Sequence, residues 1–312
     1  MHAQAFSQSS YLVRLSQRMR RAHAGLDGER RSRHTAAILS FRRDGGFTGR
    51  RGEADLYYTG FAIRALHALD EIEKELAEGA IDYLRCQEPN SIIDELSLLN
   101  CFLLLEAAPP DTQDVSGFLE RFRAEDGGYA KSVGGQWGST YHTFLAALCY
   151  DLLGETVPDP ARIAAFLKQR RRDDGGFGDS PAATRSNTNA TAAGASAAMV
   201  LGLRDEDLTE KGKGYLLAMR HDTGGWMASR SVPLPDLLST YTALVTLDSM
   251  KALDADALAG AAYFARSCED ERGGFRAGPW DDQVDVEYTY YGLGLLAAAM
   301  PRAGGRPSVP TS

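Results

Sequence analysis

The sequence has 312 residues, of which 44% are hydrophobic and 24% are charged, as is typical of an ordinary water-soluble globular protein. Its four cysteines lie far apart and include no C-x-x-C pair, which argues against a disulfide scaffold, a zinc ribbon and an iron–sulfur site. The formal net charge of −8 argues against a broad nucleic-acid-binding surface.

The chain begins with an arginine-rich segment: the first 50 residues contain ten arginines and three acidic residues. Within it, five apolar residues recur at helical spacing and predict an N-terminal amphipathic helix. They are Tyr11, Leu12, Val13, Leu15 and Met19. No apolar run reaches the ~18–20 residues that span a bilayer, and no secretory signal is present, so we expect a cytoplasmic protein without a membrane span.

Ten of the 32 glycines belong to one recurring phrase, a Gly-Gly pair followed by an aromatic residue. The five copies begin at Gly45, Gly127, Gly175, Gly224 and Gly273. The intervals are 82, 48, 49 and 49 residues, and residues 87–90 lie where a degenerate copy would divide the longest interval. Such a period is typical of helical repeats, so the sequence predicts six units. We expect each pair to form a left-handed turn whose aromatic residue packs between units.

Each phrase is followed by a loop and then by an alanine- and leucine-rich segment that is apolar almost all round. A helix of this kind is buried on more than one side, so we predict inner helices over 57–69, 93–107, 140–153, 188–203, 240–250 and 288–300. Segments that are polar on one face predict outer helices over 71–86, 115–123, 161–170, 207–219 and 255–268. The predicted fold class is all-α, an α/α toroid of six helical hairpins with an inner and an outer ring.

Six hairpins with these turns resemble the α/α-toroid superfamily of protein prenyltransferase β subunits, squalene and oxidosqualene cyclases and class II terpene cyclases. The sequences DLYYTGFA at 55–62 and DVEYTYYGL at 285–293 are similar to the prenyltransferase β branch. The resemblance covers about residues 35–300, which we expect to form the toroid domain. We expect residues 1–34 to be a helical segment packed on the toroid and residues 301–312 to be a flexible tail.

The zinc ligands of the prenyltransferases are not retained. In that family an Asp-x-Cys pair and a histidine bind zinc, and Asp236 matches the aspartate. Leu238 stands in place of the cysteine and Tyr288 in place of the histidine. Zinc needs thiolate or imidazole ligands, so we expect no metal site of this kind and no zinc cofactor.

The proton-donating motif of the cyclases is also incomplete. In the frame of Asp-x-Asp-Asp-Thr, the chain retains Asp236 and Thr240 and lacks the two acids between them. Asp236, Asp285 and Glu287 are therefore the candidate catalytic acids for a small class II-type terpene cyclase.

In a closed ring the starts of the inner helices converge on one mouth, where their free N–H groups favour an anion. The aromatic and imidazole side chains predicted to line this cavity are Tyr57, Tyr58, Trp137, Tyr141, His142, Tyr241, Tyr288 and Tyr291. They can bind a prenyl chain and stabilise a carbocation, or they can be ordinary packing residues.

Two arginines, Arg185 and Arg230, are the candidates for contacts with a diphosphate, because a guanidinium pairs phosphate oxygens bidentately. Asp281, Asp282, Asp285 and Glu287 lie within seven residues. They can hold a magnesium–diphosphate complex, or they can form a solvated loop.

Three functions remain open at this point. The first is an isoprenoid-handling protein of the prenyltransferase β type, which binds a prenyl diphosphate in the central cavity and transfers the prenyl group. The second is a small terpene cyclase. The third is a non-catalytic toroid that binds a lipid or a protein, since the β subunits that the chain resembles work with a helical-repeat partner.

Overall fold

The computed structural model describes residues 6–110, 114–203 and 205–300. In this part of the chain the helices are α1 (Tyr11–His23), α2 (Gly28–Leu39), α3 (Leu56–Leu69), α4 (Lys74–Arg85), α5 (Ile92–Leu104), α6 (Val115–Glu120), α7 (Thr140–Leu153), α8 (Pro160–Arg170), α9 (Thr188–Val200), α10 (Glu206–Ala218), α11 (Leu237–Ser249), α12 (Ala255–Ser267) and α13 (Val286–Ala298). The strands are β1 (Arg42–Arg43), β2 (Gly46–Phe47), β3 (Trp226–Ser229), β4 (Val232–Asp236), β5 (Phe275–Arg276) and β6 (Val284–Asp285). The strands pair only as three short antiparallel hairpins, β1–β2, β3–β4 and β5–β6. The all-α prediction is therefore confirmed.

Six helices form a closed inner ring. In chain order α3, α5, α7, α9, α11 and α13 each pack against the next, and α13 packs back against α3. Small side chains allow this close approach: the run from Ala192 to Ala198 in α9 contains five alanines, one glycine and one serine, all buried. The closure confirms the predicted toroid and places α5 as the inner helix of the unit without a Gly-Gly phrase.

The outer helices α4, α6, α8, α10 and α12 return the chain between consecutive inner helices. The remaining outer position is occupied by α2, which the sequence analysis did not identify as a separate helix. The backbone of Gly273 lies against Arg33, and the N–H of Gly274 donates to Nδ1 of His34 at 3.0 Å. The His34 ring also stacks on Phe275, with 5.1 Å between centroids. Helix α2 therefore joins the beginning of the chain to its last repeat.

The Gly-Gly-aromatic turns have a common structure. The first glycine has φ between +86° and +101° in all five copies. The aromatic residues are fully buried: Phe47, Tyr129, Phe177, Trp226 and Phe275. The backbone N–H of each donates to a threonine hydroxyl of the following inner helix at 2.9–3.1 Å, namely Thr59, Thr143, Thr191, Thr240 and Thr289. Each turn is thereby tied to the inner helix that it introduces.

Helix α1 covers the C-terminal ends of the inner helices. The backbone N–H of Tyr11 donates to Asp151 in the last turn of α7 at 2.6 Å, and Arg18 forms an ion pair with Asp248 in the last turn of α11. Leu12, Val13 and Met19 of α1 are buried. The predicted amphipathic helix therefore closes one end of the ring.

The proposed division of the chain at residues 34 and 35 falls within α2, and it stays a prediction. The predicted flexible tail, residues 301–312, lies outside the described residues.

Candidate functional site

The N-terminal ends of the six inner helices meet at the end of the ring opposite α1. Each helix follows a capping residue whose side chain accepts a hydrogen bond from the backbone N–H three residues later. The caps are Asp55, Ser91, Ser139, Asn187, Asp236 and Asp285. Two predicted catalytic acids, Asp236 and Asp285, thus hold the starts of α11 and α13.

A cavity of about 410 Å³ lies inside the inner ring, and its size is within the range of small-molecule sites. All six inner helices line it, and Tyr11, Leu12 and Leu15 of α1 form its floor. The lining residues recur at the second, the fifth or sixth, and the ninth position of the inner helices, which is the spacing of one helix face. We call these levels the mouth, middle and deep layers.

The mouth layer consists of the second residue of every inner helix: Tyr57, Ile93, Tyr141, Asn189, Leu238 and Glu287. Tyr141 is 38% exposed, so the cavity opens to solvent at this level. The opening lies among the helix N-termini, where the sequence analysis placed it.

The middle layer has an aromatic wall where α3, α11 and α13 meet. The Phe61 ring lies 5.3 Å from Tyr291, and Tyr291 lies 5.0 Å from Tyr241, between ring centroids. The hydroxyl of Tyr241 donates to that of Tyr290 at 3.0 Å. Next to α11 in the ring, α9 contributes only the methyl groups of Ala192 and Ala193 at this level, and α7, across from α13, contributes Phe144 and Leu145. The free volume therefore lies against an aromatic surface.

Glu287 is the one acidic side chain among the described residues that line the cavity. Its Oε1 accepts hydrogen bonds from the hydroxyl of Tyr57 at 2.8 Å and from that of Tyr291 at 3.2 Å. Burial raises the pKa of the Glu287 carboxyl, although both tyrosine hydrogen bonds act to lower it. The carboxyl group consequently keeps its proton to a higher pH than an exposed glutamate does.

The deep layer is partly polar, with Leu148 of α7 and Val245 of α11 as its apolar members. Its ninth-position residues include Arg64 of α3, Asn100 of α5 and Ser196 of α9, and the tenth residue of α11 is Thr246. The Arg64 guanidinium lies 4.1 Å from the Phe61 ring centroid and 4.7 Å from that of Tyr290. A positive charge is therefore enclosed near the floor of the cavity, next to the aromatic wall.

Five of the predicted site residues line the cavity together: Tyr57, Tyr141, Tyr241, Glu287 and Tyr291. The others lie outside the lining. Tyr58 packs over Gly49, Trp137 is 53% exposed in the loop before α7, and Arg185 and Arg230 are exposed on the loops before α9 and α11.

His142 and Tyr288 also lie outside the lining of the cavity. The Nδ1 atom of His142 is 3.0 Å from the Ser139 hydroxyl, and burial lowers the pKa of the imidazole. The guanidinium of Arg50 lies 5.7 Å from the Tyr288 ring centroid. Both side chains therefore pack around the mouth rather than within the chamber.

The acidic cluster before α13 is engaged by an arginine. Nε of Arg50 donates to Asp285 at 3.0 Å, and its Nη1 donates to Asp281 at 3.0 Å. Among the described residues, no group of three or more His, Cys, Asp and Glu side chains is arranged to hold a metal ion. The proposed magnesium site stays a prediction.

The residues at the zinc-ligand positions do not fit zinc. Both carboxylate oxygens of Asp236 accept hydrogen bonds from Ser239, from its N–H at 2.7 Å and its hydroxyl at 2.8 Å. Leu238 presents an apolar side chain to the cavity, and Tyr288 has a raised pKa of about 12 because of burial. A neutral phenol and an alkyl group leave zinc without the soft ligands that it requires.

Four further lining residues were not predicted from the sequence: Phe61, Arg64, Asn100 and Tyr290. The signal for Arg64 is its position: it is the sole arginine, lysine or acid in α3, seven residues after Tyr57. A lone charge at helical spacing from an aromatic candidate indicates the same helix face.

A sequence model of the prenyltransferase alpha-alpha toroid domain matches residues 10–302. The chain belongs to this family. The toroid prediction and the resemblance to its prenyltransferase and cyclase branches are confirmed.

Solved structures show the same fold. Protein geranylgeranyltransferase-I of Candida albicans, complexed with GGPP, superposes with a TM-score of 0.64 at 15% identity over 92% of this chain and 91% of that chain. A variant of the type II terpene cyclase MstE from Scytonema, in complex with geranylgeranyl dihydroxybenzoate, superposes with a TM-score of 0.63 at 14% identity over 92% of this chain and 99% of that chain. A protein from Actinoplanes superposes with a TM-score of 0.62 at 15% identity over 87% of this chain and 98% of that chain. At these identities the likeness establishes the shared toroid fold.

No curated protein matches the sequence significantly. Among the described residues of this toroid, no helix combines the length and hydropathy needed to cross a bilayer.

Proposed function

We propose that this toroid protein binds an isoprenoid chain in the cavity inside its inner ring. The observation that carries the proposal is the chamber itself, which is walled by apolar and aromatic side chains, closed by α1 and open at the mouth. Burying apolar surface contributes roughly 25 cal/mol per Å², so a branched hydrocarbon chain gains affinity along the whole wall. The geranylgeranyl ligands of two solved toroids are in keeping with this proposal.

Within this cavity, Glu287 is placed to start a cyclisation by donating its proton to the bound chain. The proton on Oε2 is transferred to a terminal carbon–carbon double bond, which forms a C–H bond and leaves a tertiary carbocation. The π electrons of the next double bond then form a ring bond. A carbon beside the final cation then loses a proton to water, and the Glu287 carboxylate regains one from it, so the product is an isomer of the substrate.

The surroundings of Glu287 support both halves of that first step. The hydroxyls of Tyr57 and Tyr291 stabilise the carboxylate that remains after proton transfer. The faces of Phe61 and Tyr241 attract a carbocation through their π electrons. Asp236 and Asp285, which cap helices outside the chamber, are not assigned a step.

The second candidate is transfer of a prenyl group from a prenyl diphosphate. It is favoured by Arg185 and Arg230, which are exposed on two loops beside the mouth and form no ion pair among the described residues. These side chains can reach a diphosphate above the cavity while the prenyl chain lies within. Magnesium and a helical-repeat partner stay predictions attached to this candidate.

Isoprenoid binding is tested by thermal unfolding with farnesol and geranylgeraniol, using 1-hexanol as a small apolar control. A ligand at 100 times its Kd stabilises the folded protein by about 2.7 kcal/mol, which raises Tm by several degrees. An unchanged Tm with both prenyl alcohols, well above micromolar concentration, contradicts the proposal.

The two reactions are separated by incubating the protein with geranylgeraniol and with geranylgeranyl diphosphate. Cyclisation gives an isomer of unchanged mass, detected by gas chromatography and mass spectrometry, and Glu287→Gln abolishes it. Glu271→Gln is the matched control, since Glu271 is exposed on an outer loop. Release of inorganic diphosphate that survives Glu287→Gln, with water taking up the prenyl group as geranylgeraniol and no isomer formed, instead supports the prenyl-transfer candidate.

A further inference from the structure

Arg64 is an enclosed cation with little to neutralise it. It is the only Lys, Arg or His among the described residues that line the cavity. Its Nε–H donates to the carbonyl of Gly60 at 2.9 Å, and no carboxylate of the described residues lies within 4.0 Å of the guanidinium. Its two terminal nitrogens are thus left to face the chamber.

The aromatic rings beside Arg64 offset only part of the cost of enclosing a charge. A cation–π contact returns less free energy than hydrogen-bonded pairing with an anion, so an ion removed from water is not fully compensated by aromatic rings alone. Arg64 makes two such contacts, with Phe61 and Tyr290. An anion in the chamber would supply the missing compensation.

The deep layer contains further polar groups at the level of Arg64. Asn100 on the adjacent helix is 2% exposed, and its Oδ1 has no hydrogen-bond partner among the described residues. The hydroxyl oxygens of Ser196 and Thr246 lie 3.1 Å apart across the layer. These amide and hydroxyl groups can complete the hydrogen bonding of an oxyanion whose charge is held by the guanidinium.

We infer that the deep layer binds the anionic end of the isoprenoid ligand, with Arg64 as its charged contact, so that the ligand enters with its anionic end first. This inference rests on the proposed isoprenoid binding. The hydrocarbon chain then runs along the aromatic wall, and its far double bond lies beside Glu287. The second and ninth positions of a helix are about 10 Å apart along its axis, which a folded prenyl chain spans.

The charge of the lining identifies the class of anion. Arg64 is the single cation, and Glu287 is its only acidic counterpart among the described lining residues. One guanidinium balances one negative charge, so the ligand is a carboxylate rather than a diphosphate. A neutralised Arg64 also removes the repulsion that a free guanidinium exerts on a carbocation in the middle layer.

The test is calorimetric titration of the full chain with farnesoic acid, farnesol and farnesyl diphosphate. The variants are Arg64→Gln and Arg64→Lys, and Arg266→Gln is the control because Arg266 is exposed on the outer helix α12. A hydrogen bond to a charged group is worth about 1.5–3 kcal/mol, so Arg64→Gln should lower the affinity for farnesoic acid about 10- to 100-fold. The affinity for farnesol should change less than about 3-fold in Arg64→Gln, and Arg64→Lys should restore part of the affinity for the acid.

Three results overturn the inference while leaving isoprenoid binding intact. The first is an equal loss of affinity for the acid and for the alcohol in Arg64→Gln, which makes Arg64 a structural cation. The second is farnesol binding at least as tightly as farnesoic acid to the wild type, which needs no variant to fold. The third is farnesyl diphosphate binding more tightly than the acid in an Arg64-dependent manner. If none of the three ligands binds the wild type, the proposed function itself is wrong.

Discussion

The hydroxyl of Tyr57 donates a 2.8 Å hydrogen bond to Oε1 of Glu287 across the contact between the first and the last inner helix. Tyr57 is the second residue of α3 and Glu287 is the second residue of α13, so the two partners are 230 positions apart in the sequence. The bond forms only when the ring is closed. Ring closure and the assembly of the candidate acid are therefore a single structural event.

Replacing Glu287 by glutamine should stabilise the protein at neutral pH. Because burial raises the pKa of this carboxyl in the folded state, the folded state binds more protons than the unfolded one above pH ~4.3. The free energy of unfolding therefore falls as the pH rises through that window and stays lower above it. Glutamine cannot ionise and still accepts the Tyr57 hydrogen bond.

The gain in unfolding free energy should be present at pH 7 and should vanish near pH 4, where the carboxyl is protonated in both states. Denaturant unfolding at both pH values measures it. Glu271→Gln, at an exposed position, should give no gain at either pH. A Glu287→Gln protein that is less stable than the wild type at pH 7 would show that the carboxylate stabilises the ring.

A turn glycine, Gly224, and a helix glycine, Gly214, offer a pair of substitutions with opposite effects on stability. Gly224 has φ +92°, and a Cβ there would lie 2.3 Å from the carbonyl oxygen of Gly260, so Gly224→Ala should cost about 3 kcal/mol or more. Gly214 lies exposed inside α10 with open space around it, and Gly214→Ala should stabilise by about 0.5–1 kcal/mol. Chemical denaturation of the two variants checks both signs, and equal effects would contradict the turn geometry.

Thr240 should matter for stability although it lies outside the cavity. Its hydroxyl accepts the backbone N–H of the fully buried Trp226 at 2.9 Å. Thr240→Val keeps the shape and leaves that N–H without a partner, which costs about 1–3 kcal/mol. Urea denaturation measures the loss, and Thr223→Val at an exposed position serves as the control. A loss no larger than that of the control would mean that the N–H finds another acceptor.

The fold could be predicted because the Gly-Gly phrase repeats at nearly constant intervals, and α7 begins and ends at the predicted residues. Helix α2 escaped prediction because no Gly-Gly phrase precedes it, although its contact with the Gly273 turn completes the outer ring. Within the site, Tyr57 and Glu287 were predictable as helix-start residues. Arg64 was not, because the rotation of α3 about its axis decides whether it faces the chamber or a neighbouring helix.

The alanine wall of α9 should set the length of ligand that fits. Ala193 is 4% exposed and lines the middle layer of the cavity on α9, the helix next to α11. Ala193→Phe fills that space, so geranylgeraniol should bind at least about 10-fold more weakly while the shorter geraniol is less affected, at a packing cost of about 1–3 kcal/mol. Titration calorimetry measures both ligands.

Ala255→Phe, on the exposed start of α12, controls for added bulk. If geranylgeraniol keeps its affinity in Ala193→Phe, the ligand does not occupy the middle layer.

Acid should loosen the floor of the cavity through His23. This residue of α1 is fully buried, its Nε2–H donates to the carbonyl of Leu293 at 2.9 Å, and burial lowers its pKa to about 4. Since the pKa of a histidine in the unfolded state is near 6.5, the unfolded state binds more protons than the folded state between pH 4 and pH 6.5. The contribution of His23 to the free energy of unfolding is therefore fully present above pH 6.5. It falls by about 3 kcal/mol as the pH falls towards 4.

His23→Gln should remove that pH dependence, because glutamine can donate to Leu293 and does not titrate. The measurement is the difference in unfolding free energy between pH 7 and pH 4 for the wild type and the variant, with His221→Gln on a turn near the surface as control. Amide exchange locates the effect: protection of α1, which packs His23 against α13, should fall first in the wild type at low pH. Equal pH dependence in the wild type and His23→Gln would assign the acid sensitivity to other groups.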